Sequence, residues 1–238
     1  VSKLKAGDIL LLENLRFHGE EEKGDARFAR ELASLGDVYI NDAFSCSHRA
    51  HASITGIAPY LPCAAGRLME EEVGVLTQIF SSAKKPLAAV IGGSKVSTKL
   101  DLLNNLVKKM DVLVIGGAMA NTFLYAQGHS VGKSKCEKDM KATAARILRA
   151  AQKKGCRLVL PSDLIVVNEF KAQADCEGVD IGSAPADGMA TDIGPASVEL
   201  FASVLAECKT VVWNGPLGAF ETSPFDCSTV HLARHIAK

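Results

Sequence analysis

Short apolar runs alternate with stretches of helical periodicity along almost the whole chain. The apolar runs fall at residues 9–12, 38–40, 87–91, 112–115, 158–160 and 210–213. Several are apolar at every position, the pattern of parallel strands covered by helices on both faces. Helical periodicity lies between them, near 26–35, 70–80, 98–109, 119–126, 137–153 and 195–207. Strand and helix in regular alternation predict right-handed βαβ units and the α/β class, with doubly wound parallel sheets. Two breaker-rich turns, PCAAG at 62–66 and SSAKKP at 81–86, flank a helix with an acidic first turn at Glu70, Glu71 and Glu72. The organisation predicted is a first lobe over 1–68, a connecting helix or hinge over 69–85, and a second lobe over 86–238. No repeat of solenoid length and no low-complexity segment interrupts it.

Composition narrows the function classes. A chain of 238 residues, 47% hydrophobic, buries one or two cores. The 27 basic and 27 acidic residues balance, which argues against a general attraction to nucleic acid or an anionic membrane. No apolar run approaches the roughly 20 residues of a membrane-spanning helix. The opening residues, VSKLKAG, carry no secretory signal. They also lack an initiator methionine, so the sequence is expected to begin in mid-protein. The seven cysteines are scattered and never spaced C-x-x-C. That excludes a disulfide framework or a zinc site and predicts reduced thiols in a cytoplasmic protein.

The candidate chemistry gathers at strand ends. In AAVIGGSKVSTK at 88–99 an apolar strand runs into Gly92 and Gly93, with Lys95 and Lys99 one helical turn apart. Glycines there let backbone N–H groups approach a ligand, and a helix starting at them would aim its positive end at an anion. The segment supplies neither a Walker A loop nor a G-x-G-x-x-G fingerprint. The turn recurs, however, as VLVIGGAMA at 112–120 and VVWNGPLGAFE at 211–221. In an open parallel sheet, ligands bind beyond the carboxyl ends of the strands. Three glycine loops there could enclose a nucleotide, with Glu221 near a ribose hydroxyl; otherwise the glycines serve tight turns alone.

A second cluster joins ENLRFH at 13–18 to NDAFSCSHRAH at 41–51. Each follows an apolar run, so Arg16 and Arg49 are expected to project from neighbouring strand ends as a clamp for phosphate or carboxylate. His48 and His51 lack a third ligand at suitable spacing, which argues against a metal. The acidic run at 20–22 reads as a solvated loop. Asp163 and Asp192 sit at element boundaries, where capping or turn formation is the default. Trp213 is assigned to the core.

Taken together, these segments resemble the phosphoglycerate kinase family. The carrying motifs are LLENLRFH at 11–18, NDAF at 41–44, HRAH at 48–51, GGSKVSTK at 92–99, GGAM at 116–119, DIGP at 192–195 and WNGPLGAFE at 213–221. They follow family order over essentially the whole chain. The resemblance implies reversible phosphoryl transfer between 1,3-bisphosphoglycerate and ADP, giving 3-phosphoglycerate and ATP. It implies two doubly wound lobes closing on a hinge, with the acid on the first and Mg²⁺-nucleotide on the second. By motif matching, Arg16, Arg49 and His48 would hold 3-phosphoglycerate. Lys95 would neutralise the phosphoryl group in flight, and Lys99 would hold nucleotide phosphate. Gly93, Ser94 and Gly117 would line the nucleotide cleft. Asn214 would approach the phosphates, Gly215 and Leu217 the adenosine, and Glu221 the ribose. The implied partners are these small molecules alone, for a cytoplasmic monomer.

Departures accompany the match. The family's Asp-x-Asn strand end and its Gly-Gly-Gly-Asp-Ser/Thr turn do not occur here. The Asp of that turn serves the metal in the family and is expected beyond Lys238, so no metal ligand is assigned. Ser94 stands where Ala is usual, and the stretch 188–191 departs enough that no adenine-wall residue is assigned from it. Both lobes are therefore expected to be incomplete, with exposed strand edges, and the 238-residue chain to be inactive or nearly so. The competing expectation is a non-catalytic nucleotide-binding module built from the second lobe.

Overall fold

The computed structural model describes residues 1–237. Lys238, where the second lobe was expected to end, lies outside the described residues, as does the metal-serving Asp expected beyond it. The chain divides into two compact units, Val1–Ser82 and a second from Ala83 onward.

The first unit contains α1 (Gly19–Lys23), α2 (Ala26–Ala33), β1 (Tyr39–Asn41), β2 (Cys63–Ala65) and α3 (Arg67–Ser82). Helix α2 starts where the Asp25 carboxylate accepts the Phe28 N–H at 2.9 Å. Its buried residues Ala29 and Ala33, one turn apart, face the interior. A π-turn at Ala52–Gly56 packs against α2 with Ala52 fully buried. Strands β1 and β2 pair in parallel, Tyr39 opposite Cys63.

Three expectations fail in this unit. Residues 9–12 are extended but form no strand, with Ile9 94% and Leu11 92% exposed. An apolar run becomes a parallel strand only with hydrogen-bonded neighbours and helical cover, and the unit's two described strands pair with each other instead. The turn expected over 62–66 contains strand β2, because Cys63–Ala65 is too short to show periodicity and takes its conformation from β1. Residues 20–22 are helical within α1, and Glu21 is buried rather than solvated.

The second unit carries β3 (Leu87–Ile91), α4 (Leu100–Lys109), β4 (Val112–Ile115), α5 (Gly117–Ala126), α6 (Lys141–Lys154) and β5 (Arg157–Val159). After them come β6 (Asp163–Val167), β7 (Glu177–Asp180), β8 (Met189–Ile193), α7 (Pro195–Ala206), β9 (Thr210–Asn214) and α8 (Cys227–Ile236). The main sheet is parallel throughout, ordered β5-β4-β3-β9. Ala88, Val90 and Val114 pack with Phe201, Val204 and Leu205 of α7 and Leu232 of α8. The alternating residues Ala89, Ile91, Leu113 and Ile115 are equally buried, so both faces are covered as the continuous apolar runs required. Antiparallel β7-β6-β8 forms a second sheet that strand–helix alternation did not anticipate.

The chain lays β4 and β5 on one side of β3, then returns to place β9 on the other. That reversal of direction opens a crevice beyond the carboxyl end of β3.

Phe201 is completely buried in the cluster beneath the sheet. Phe201→Ala is expected to destabilise the second unit by about 3–5 kcal/mol. Urea unfolding followed by Trp213 fluorescence checks it, since Trp213 is the single tryptophan and packs against that cluster.

Candidate functional site

The ends of β3, β4 and β9 come together through their glycines. A Cβ at residue 92 would lie 1.9 Å from the Pro216 carbonyl oxygen, so backbone meets backbone there and no side chain fits. Gly117 has φ +66°, and a Cβ on it would lie 2.7 Å from both the Gly93 nitrogen and its carbonyl oxygen. The Gly92 N–H donates to the Asn214 carbonyl at 2.9 Å and the Gly117 N–H to the Leu217 carbonyl at 2.9 Å. The Met119 N–H donates to the Gly93 carbonyl at 2.9 Å. These donors join the loops to one another instead of pointing at a ligand. Nor does a helix begin at Gly92 and Gly93: a 3₁₀ turn at Ser97–Lys99 precedes α4, so the loop spans the gap first.

Lys99 folds back across that loop. Its Nζ donates to the Gly92 carbonyl at 2.7 Å and to Asn214 Oδ1 at 2.6 Å, bridging the ends of β3 and β9. Burial holds its ammonium below the ordinary lysine range. Lys95 is exposed. Behind it, Glu137 accepts from the Ser97 backbone N–H at 3.1 Å and from Ser97 Oγ. Burial pushes the Glu137 carboxyl up, but the Ser97 and Val96 hydrogen bonds and the Lys95 charge together hold it below the usual range.

A cleft of about 580 Å³ opens beside these loops. Gly93, Ser94, Gly117, Leu217 and Glu221 line it, as do Met189–Ile193 of β8 on another wall. Lys95, Lys99, Asn214 and Gly215 lie outside its lining. Phe170 and Lys135 were not singled out as candidates, and the stretch 188–191 was connected with the adenine wall without any residue being assigned; β8 belongs to the antiparallel sheet, which short strands with mixed patterns conceal. In the first unit, Arg16 lies in the 3₁₀ turn Leu15–Phe17, so it does not follow a strand. Arg16, His48 and Arg49 are exposed, and neither guanidinium makes a hydrogen bond or ion pair among the described residues. Trp213 is half-buried against the core, its Nε1 donating to the Gly215 carbonyl at 2.6 Å.

Two aspartates act from a distance. Asp163 on β6 accepts the Ala196 and Ser197 N–H groups at 3.0 and 2.7 Å, capping α7. Asp192 on β8 accepts the Ser228 N–H at 3.1 Å and the Ser228 hydroxyl, capping α8 from within the cleft wall. Among the described residues, no three or more His, Cys, Asp or Glu are grouped to hold a metal ion. Among those same residues, no helix is long and apolar enough to cross a membrane.

A parallel α/β unit with a cleft where strand order reverses defines the class of proteins that bind small ligands beyond the strand ends. The comparisons carry this to a family. The family model described as phosphoglycerate kinase matches residues 1–238, and the chain belongs to that family. It is 54% identical to the phosphoglycerate kinase of Methylorubrum populi and 56% identical to that of Rhizobium meliloti, with 100% of this chain covered in each comparison. It spans about 60% of the length of those relatives. Among solved structures, the phosphoglycerate kinase of Coxiella burnetii matches with TM-score 0.80 and 41% identity, over 94% of this chain and 58% of that one. That of Pyrococcus horikoshii matches with TM-score 0.80 and 29% identity, over 99% and 62%.

Burial in the cleft wall pushes the Asp192 carboxyl up to about 6, against the hydrogen bonds from Ser228 and Ile193 and with the charge of Asp226. An unfolded aspartate titrates near pH ~3.9. Between those values the folded state holds the proton more tightly, so this group's contribution to stability falls as pH rises through the window. Asp192→Asn is expected to flatten that slope, by at most about 3 kcal/mol across the window. Denaturation midpoints from pH ~4 to ~7 measure it; an unchanged slope would place the titrating group elsewhere.

Proposed function

We propose that the chain carries the acid-binding and nucleotide-binding residues of a phosphoglycerate kinase. The reaction is reversible phosphoryl transfer between 1,3-bisphosphoglycerate and ADP, giving 3-phosphoglycerate and ATP. The observation that carries this reading is the cleft at the ends of β3, β4 and β9, in a chain that matches the family along its whole length.

In this reading the nucleotide occupies the second unit. Gly93, Ser94 and Gly117 provide one wall, and Gly215 and Leu217 lie toward the adenosine, with Glu221 on the ribose. Lys99 and Asn214 give up their mutual hydrogen bond to meet the nucleotide phosphates. Lys95, exposed on its loop, meets the phosphoryl group in transfer. Arg16, Arg49 and His48 in the first unit hold the acid, the guanidiniums matching its phosphate and carboxylate. Such a set needs no nucleophile–base pair, because phosphoryl transfer depends on positioning and charge neutralisation. Mg²⁺ would enter with the nucleotide, and its protein ligand is the family's Asp expected beyond Lys238, so no residue of this chain is named for it. The reading includes a cytoplasmic monomer, with residues 69–85, largely α3, as the hinge.

Calorimetric titration of ADP into the 238-residue chain is expected to show one site. Lys99→Ala should weaken it about tenfold, equivalent to about 1.4 kcal/mol. In the longer enzyme carrying these residues, Lys95→Ala should lower kcat by about a hundredfold or more while ADP affinity changes little. Unchanged turnover would remove Lys95 from the reaction. ADP binding with a Lys95-independent loss of all turnover would favour the non-catalytic module.

A further inference from the structure

Glu21 is the most deeply buried acidic side chain in the first unit, 3% exposed, and the proposed reaction gives it no role. Its Oε2 accepts the Ser53 backbone N–H at 2.9 Å and its Oε1 accepts the Ser53 hydroxyl at 2.5 Å. The His51 imidazole Nδ1 lies 3.6 Å from the same Oε1, itself buried. A buried carboxylate with this many donors is costly to disrupt, since removing one leaves the other groups unpaired.

The placement of these contacts gives them a consequence. The turn Leu15–Phe17 holds Arg16, fixed by the Asn14 side chain accepting the Arg16 N–H at 3.0 Å. The turn runs into α1 through backbone bonds from His18 to Leu15 and from Glu21 to His18. On the other side, the His51 carbonyl accepts the N–H groups of Ile54, Thr55 and Gly56 at 3.0–3.1 Å, closing the π-turn directly after Arg49 and Ala50. The same two segments also approach closely at a second point. Gly24, at the end of α1 with φ +64°, sits so close to Ala50 that a Cβ would lie 2.7 Å from its carbonyl oxygen. Residues 14–24 and 46–56 are thus held together from the middle of α1 at Glu21, with close packing just past its C-terminal end at Gly24.

We propose that Glu21 is a positioning residue for the acid substrate, holding the Arg16 turn and the Arg49 loop in one fixed relation. This rests on the reading of Arg16 and Arg49 as ligands of 3-phosphoglycerate. Two guanidiniums on separate segments bind one small polyanion well only if their spacing is set beforehand. Glu21 sets that spacing from within the fold and touches no substrate itself.

The test is titration of 3-phosphoglycerate into the full 238-residue chain. Glu21→Gln is expected to raise its Kd about tenfold. Ser53→Ala, which keeps the backbone bond to Glu21 and loses the hydroxyl, should raise it about threefold. ADP affinity, set in the second unit, should stay unchanged in both. The arginine ¹⁵Nε signals supply a readout that loss of stability alone would not move. In the unsubstituted chain those of Arg16 and Arg49 should shift together with a single midpoint, and in Glu21→Gln the two midpoints should separate. If Glu21→Gln does not fold, Ser53→Ala carries the comparison. Unchanged affinity and coincident midpoints in the folded variants would overturn the inference alone. No binding of 3-phosphoglycerate by the unsubstituted chain would overturn both the ligand assignment and the inference.

Discussion

The Pro216 carbonyl oxygen occupies the place a side chain at residue 92 would need. That single close approach joins the end of β3 to the loop after β9, and the cleft geometry follows from it. With Gly92 seated there, its N–H reaches the Asn214 carbonyl, and its own carbonyl reaches Lys99 Nζ. The Gly117 N–H is then satisfied by Leu217, which also closes down on Gly116. Three loops that the sheet merely brings near one another become one interlocked floor. Glycine is required by contact here as much as by backbone angle, and only the folded chain distinguishes the two.

A shared device fastens the rest. Asp42 accepts the Met69 N–H at 2.9 Å at the start of α3, Asp163 caps α7, and Asp192 caps α8. Glu137 holds the turn before α4, and Glu21 holds the π-turn. In each case a carboxylate satisfies N–H groups that lack an intrahelical partner at the start of a helix or turn that lies 27 to 40 residues away. Each tie closes a long loop and adds a charge-assisted hydrogen bond at a helix's positive end. The helices are therefore positioned by residues outside themselves, which couples their placement to strands β6 and β8 and to the loops between.

This explains which parts of the architecture were legible in the sequence. Runs such as 87–91 and 112–115 are apolar on both faces, so burial and the parallel sheet could be read from them directly. The antiparallel β7-β6-β8 sheet could not: Glu177–Asp180 is polar and largely exposed, and Met189–Ile193 mixes Thr and Asp with apolar residues. With that sheet unseen, the stretch 188–191 could be connected with the adenine wall only by resemblance, and no residue was assigned from it. The glycine loops and both lysines were visible as motifs, but not their use of backbone donors on each other. Residues 9–12 failed for the opposite reason, since their hydrophobicity is real while the partners that would make them a strand are not among the described residues. Asp163 and Asp192 were recognisable as caps, though the helices they cap lie elsewhere in the chain.

The two lysines of the first loop stand in different surroundings. Lys99 is partly buried and already bonded to Gly92 and Asn214, so in the proposed reaction a nucleotide phosphate would have to replace those acceptors. Exchanging neutral acceptors for an anionic one is favourable, and the burial that lowers the ammonium's pKa strengthens the new contact. Lys95 stands exposed, with the Glu137 carboxylate as its nearby counter-charge. The loop between them is anchored at Ser97 by Glu137. A partly buried, doubly bonded ammonium and an exposed one are thus set four residues apart on one strand-end loop, the division that the proposed reaction would draw on.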